Sequence, residues 1–117
     1  RGGITTNDSV YLVKKLKRQG LNYVCVSSGG IIPKTKIVFK PGYQVHLARK
    51  IKIKTGIITR TAGMITSYDQ ASKIIKNRSA DLVAVARSFI NNPNWMFKDK
   101  KEGKEQLKIP NQYKRCF

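Results

Sequence analysis

Residues 56–67 read Gly56-Ile57-Ile58-Thr59-Arg60-Thr61-Ala62-Gly63-Met64-Ile65-Thr66-Ser67. A short apolar and β-branched run predicts a strand over 57–61. A glycine turn follows at Ala62-Gly63. Thr66 or Ser67 then caps a helix that carries Ala71, Ile74 and Ile75 and runs to Lys76. This strand–turn–helix unit decides the fold, because the chain repeats it on both sides.

Upstream, Asn7 to Gln19 predicts an amphipathic helix. Val10, Val13 and Leu16 form its apolar stripe, Thr6 its N-cap and Gly20 its stop. Leu21 to Ser27 is a nearly continuous apolar strand, a pattern expected where a parallel sheet is covered on both faces. Ser28 to Gly42 is a loop rich in Gly and Pro, and Gln44 to Lys54 a second helix stopped by Gly56. Downstream, Asp81 to Ala86 predicts a third strand. Arg87 to Asn92 starts another helix, which Pro93 ends. Strands alternating with helices mean βα units on a parallel sheet. Right-handed crossovers bring the strand C-termini to one edge. That edge collects Ser27-Ser28-Gly29-Gly30, Ala62-Gly63-Met64 and Ala86-Arg87, where α/β folds bind ligands.

Three strands do not close a barrel, which takes about 250 residues. The expected fold class is therefore α/β: the last three βα units of a (β/α)8 TIM barrel, incomplete on its own. A small doubly wound sheet is the alternative. Residues 1–97 hold the βα units, and 98–117 are a charged stretch and tail.

Composition narrows the function. The chain has 117 residues, 24 Lys+Arg and 6 Asp+Glu, a formal charge of +18. Such a charge invites a nucleic-acid partner. However, Lys, Ile and Asn, all with A/T-rich codons, make up 37 residues, and the lysines are scattered over helix surfaces. Nucleic acid is therefore not the expected partner, and a basic nucleic-acid-binding module stays as an alternative. No run reaches the ~18 apolar residues of a spanning helix, so no membrane partner is expected. Arg1-Gly2-Gly3 lacks the layout of a signal peptide, and two cysteines make no disulfide framework; both fit a cytoplasmic protein.

Few residues carry chemistry. His46 has no Cys, Asp or Glu partner nearby, no spacing suits a metal, and Ser27-Ser28 lack a His and Asp. No catalytic residue and no metal site is expected. Gly63 could bring its N–H close to a phosphate, with a plain βα turn as the alternative. Arg87 could hold that phosphate with its guanidinium, or form a surface salt bridge. Together they match the phosphate site after strands seven and eight of many barrels.

Several segments, in order, resemble the C-terminal part of the old yellow enzyme family, in its bacterial NADPH dehydrogenase branch. They are Tyr23-Val24-Cys25-Val26-Ser27-Ser28-Gly29-Gly30, Pro41-Gly42-Tyr43-Gln44-Val45, Gly63-Met64-Ile65-Thr66, Ala80-Asp81-Leu82-Val83-Ala84, Arg87, Asn92-Pro93, and the tail Gln112-Tyr113-Lys114-Arg115. The resemblance implies FMN as cofactor and NADPH or NADH as reductant. It implies that Gly63, Ala86 and Arg87 hold the FMN phosphate, and that Arg115 reaches the active site of a neighbouring subunit. Tyr43 and Gln44 would organise the loop over the barrel mouth. The partner implied is the missing N-terminal barrel half, or a homo-oligomer of the full enzyme. The family's flavin platform, substrate anchors and proton donor lie on the first five strands, so this part would be inactive alone. Two departures bear on the site: Ala86 stands where the family has Gly, and Ala62 where it commonly has Val. If position 86 needs a positive φ, the methyl group costs about 1 kcal/mol. Another phosphate-binding barrel remains an alternative.

Overall fold

A computed structural model describes residues 2–33, 36–96 and 110–116. The elements are α1 (Thr6–Arg18), β1 (Tyr23–Val26), α2 (Val45–Thr55), β2 (Ile58–Thr61), α3 (Tyr68–Lys76), β3 (Leu82–Val83), α4 (Arg87–Asn91) and a 3-10 turn (Asn111–Cys116). The charged stretch predicted at 98–108 lies outside the described residues.

Capping chemistry sets the helix boundaries. The cap of α1 is Thr5, one residue before the expected Thr6. Asp8 stands three residues after Thr5 and closes a capping box. Its carboxylate accepts the Thr5 N–H at 2.8 Å, and the Thr5 hydroxyl oxygen accepts the Asp8 N–H at 3.3 Å. These Thr5 bonds hold the Asp8 carboxyl below its ordinary range. Gly56 ends α2 at φ +60, a left-handed residue that glycine adopts without strain. Lys17 of α1 donates to the Thr55 and Gly56 carbonyls at 2.9 and 3.1 Å, a cation on the C-terminus of α2.

The sheet is parallel in the order β1-β2-β3. Tyr23 pairs with Ile58, Cys25 with Arg60 and Arg60 with Leu82, so these five share one face. Val24, Val26, Thr59, Thr61 and Val83 share the other. The helices cover only this second face. Val13, Val26, Ala48, Ile51, Ile57, Ile65, Ile74 and Ala80 form the core there. The expectation of a sheet covered on both sides is thus corrected for this chain: Tyr23, Ile58 and Leu82 stand about half exposed at 47%, 51% and 47%. The Arg60 guanidinium lies over the Tyr23 ring on this open face, 5.8 Å from its centre.

The third strand is shorter than the expected 81–86. Ala84 still donates to the Thr61 carbonyl at 2.8 Å. Asp81 serves the sheet with its backbone, whose N–H donates to the Thr59 carbonyl at 2.9 Å, and with its side chain. Its carboxylate accepts the Thr59 N–H at 2.9 Å and the Lys52 ammonium at 2.7 Å. The Lys52 bond, helped by Thr59 and opposed by burial, holds the Asp81 carboxyl below its ordinary range. Thr59 is fully buried, so Asp81→Ala strands a buried donor. The expected loss is about 1–3 kcal/mol in urea unfolding, most of it from Thr59, since a partly exposed ion pair adds little. A folded-state pKa below the unfolded one gives stability that is present above the unfolded value and is lost as pH falls through the folded one. The stability of the parent should therefore drop below pH ~4, and Asp81→Ala should lack that part of the drop. Equal unfolding free energies at neutral pH would overturn the assignment.

Candidate functional site

A cavity of about 450 Å³ opens at the C-terminal edge of the sheet. Ser27 lines it after β1, Ala62 to Thr66 after β2, and Ala84 to Ser88 after β3. Tyr43 and Gln44 join from the loop before α2. Its volume lies within the ordinary range of small-molecule sites. All three sequence-predicted strand ends thus contribute to one place, through Ser27, Gly63 and Arg87.

Gly63 has φ +110 and the next residue, Met64, has φ +50. Two successive positive φ values make a sharp turn, and Met64 carries it with a side chain in a sparsely populated conformation. A Cβ on Gly63 would lie 2.9 Å from Cε1 of Tyr43. The Gly63 carbonyl accepts the Gly42 N–H at 2.9 Å, so the two turns are joined by backbone as well as packing.

The residue that holds the far side of this turn is Gln70, which sequence reasoning missed. Its amide oxygen accepts the Thr66 N–H at 3.0 Å and its amide nitrogen donates to the Met64 carbonyl at 3.2 Å. The signal was present: Ser67 caps α3 through the Gln70 N–H, and Ser-x-x-Gln is a helix-start signature.

Arg87 is the first residue of α4, exposed, and has no ion pair among the described residues. The salt-bridge alternative therefore finds no support. No acidic residue lines the cavity among the described residues, where Arg87 sets its charge. Ala86 lies at φ −113, so the cost of a methyl group at a positive φ does not arise there. Arg115 is exposed on the 3-10 turn and does not line the cavity. His46 lies outside it too, on the exposed side of α2. Among the described residues no cluster of His, Cys, Asp or Glu could hold a metal, and no helix is long and apolar enough to cross a membrane.

A lone arginine, a glycine turn and small side chains suit a phosphate ester. Against known proteins, residues 3–106 match the NADH:flavin oxidoreductase / NADH oxidase family. The chain belongs to that family. It is 42% identical over 113 residues to an NADPH dehydrogenase of Geobacillus thermodenitrificans, covering 97% of this chain and 33% of that protein. It is 39% identical over 116 residues to one of Halalkalibacterium halodurans, covering 99% and 34%. With the enzyme of Listeria monocytogenes the identity is 36% over 116 residues, covering 99% and 34%. The chain spans about a third of the length of these relatives. This NADH:flavin oxidoreductase family member thus pairs a parallel α/β fold with a cationic cavity at the sheet's C-terminal edge.

Proposed function

We propose that this chain is the FMN-phosphate-binding, C-terminal part of an NAD(P)H-dependent flavin oxidoreductase of the old yellow enzyme type. It would form the last three βα units of a (β/α)8 barrel. The observation that carries the reading is the meeting of the Gly63 turn and the exposed Arg87 on one cavity. Arg87 would hold the phosphate with its guanidinium, and the Gly63 turn would let the phosphate approach the backbone. Small side chains at Ala62, Ala84 and Ala86 leave room for it. When bound, FMN supplies a ring that takes hydride from NADPH or NADH and passes it on.

The open sheet face supports the barrel. Half-exposed Tyr23, Ile58 and Leu82, together with the outer edges of β1 and β3, are surfaces that a closed barrel covers. The missing barrel half is the partner this face suits, and a homo-oligomer of the assembled enzyme is the setting for Arg115. The free thiol of Cys25 fits the cytoplasm.

The test is an FMN titration of the purified chain, with riboflavin as a control that lacks the phosphate. Saturation near one flavin per chain is expected, with riboflavin at least about tenfold weaker. With NADPH added, the loaded chain should oxidise it no faster than free FMN does, since no hydride-transfer machinery is expected in these residues. Equal affinity for FMN and riboflavin, or no saturation, would refute the phosphate site. Turnover above free FMN would refute inactivity alone.

A further inference from the structure

Gln44 is 3% exposed, yet its amide does not cap the helix it precedes. Thr5 and Ser67 do cap theirs, with side chains that accept a helix N–H. Glutamine is an uncommon choice both for a helix cap and for a buried site. A buried amide requires a partner, and here the partner lies across the fold. The Gln44 side-chain oxygen accepts the Ser28 N–H at 3.2 Å, sixteen residues away, at the end of β1. Its Cγ would stand 3.2 Å from a Cβ placed on Gly63. Tyr43 packs on the same glycine, braced edge-on against Phe39 with ring centres 5.6 Å apart. Gly42 adds the backbone bond to the Gly63 carbonyl. Three consecutive residues therefore hold the turn after β2, and the third, Gln44, ties it to the segment after β1.

We infer that Gln44, with Tyr43, is a positioning residue for the phosphate-binding turn. It acts through Ser28 and Gly63, holding two strand ends in one rim so that the Gly63 backbone faces a fixed place in the cavity. The inference deepens the FMN-phosphate reading and rests on it. A Gln with only a packing role would affect stability and every ligand alike. A positioning role singles out the phosphate, because anion binding by backbone N–H groups and one arginine depends on geometry of a few tenths of an ångström.

Gln44→Met keeps the length and apolar stem of the side chain and removes the acceptor. In amide NMR of the ligand-free chain, Ser28 and Gly63 should shift and exchange faster with solvent, while Thr59 and Thr61 stay as in the parent. FMN affinity should fall about tenfold, and riboflavin affinity should change by less than about twofold. Gln44→Glu restores an acceptor and should bring back the Ser28 and Gly63 amide signals. Because Glu would also set a negative charge beside the phosphate, FMN should still bind weakly. Unchanged Ser28 and Gly63 signals in Gln44→Met would overturn the strap. Equal losses for FMN and riboflavin would reduce Gln44 to a packing role. If the parent chain binds neither FMN nor inorganic phosphate, the site itself falls and the positioning role falls with it. That failure shows in the parent and not in the variants, so the two are told apart.

Discussion

Gly63→Ala should abolish saturable FMN binding and lower the unfolding free energy by about 2–5 kcal/mol, combining backbone strain and overpacking. The backbone part follows from φ +110, a conformation that L side chains rarely adopt. The packing part follows from position. The new methyl group would meet Tyr43 Cε1 at 2.9 Å and Gln44 Cγ at 3.2 Å. Neither neighbour yields easily. The Tyr43 ring is held by Phe39, and Gln44 is buried and bonded to Ser28. Relief therefore has to come from the Gly63 turn, the element that would face the phosphate. Urea unfolding measures the stability loss, and flavin titration the binding loss. A double-mutant cycle with Tyr43→Ala separates the parts. If the clash matters, Tyr43→Ala recovers part of the loss in the double variant, and the remainder is the backbone strain together with the Gln44 contact. A Gly63→Ala chain within about 0.5 kcal/mol of the parent would show that the turn relaxes freely and does not constrain the site.

The sequence carried the alternation of helices and strands because apolar periodicity reports burial, and burial on the helix side is local. Val13, Ala48, Ile51 and Ile74 all face the core as their spacing requires. It was a weaker guide at the open face. Tyr23, Ile58 and Leu82 read as buried because an apolar strand does not say whether its second cover belongs to the same chain. The short β3 was hidden for a related reason. The Thr59 N–H is met by the Asp81 carboxylate, while the Asp81 N–H keeps its backbone bond to the Thr59 carbonyl, and nothing in Leu82-Val83-Ala84-Val85 signals that. At the site, Gly63 and Arg87 were legible because each follows a strand. Gln44 was expected only to organise the loop over the barrel mouth, and Gln70 was given no role. An amide has no spacing rule that reveals a partner across the fold, although the Ser67-x-x-Gln70 signature pointed at the second. At Ala86 the condition for a cost, a positive φ, is not met: its φ is −113.

Arg87→Ala should weaken FMN binding roughly a hundredfold, because a charge-assisted, two-pronged contact to phosphate is worth about 3 kcal/mol. The same change should leave unfolding within about 0.5 kcal/mol of the parent, since Arg87 is exposed and has no ion pair among the described residues to lose. That combination of a large binding effect and a small stability effect separates Arg87 from Gly63, whose replacement costs both. Arg87→Lys keeps the charge and loses the planar fork, so it should recover only part of the affinity. Riboflavin affinity should be indifferent to both variants, because riboflavin has no phosphate for the guanidinium to meet. Salt provides an independent check. An exposed cation–phosphate contact is screened, so the FMN preference over riboflavin should shrink as ionic strength rises, and it should be nearly flat in Arg87→Ala. If Arg87→Ala binds FMN as tightly as the parent, no other charged side chain takes its place within the cavity among the described residues, where Arg87 is the charged residue that lines it. The phosphate would then have to sit elsewhere, and the pairing of the Gly63 turn with Arg87 would lose its function.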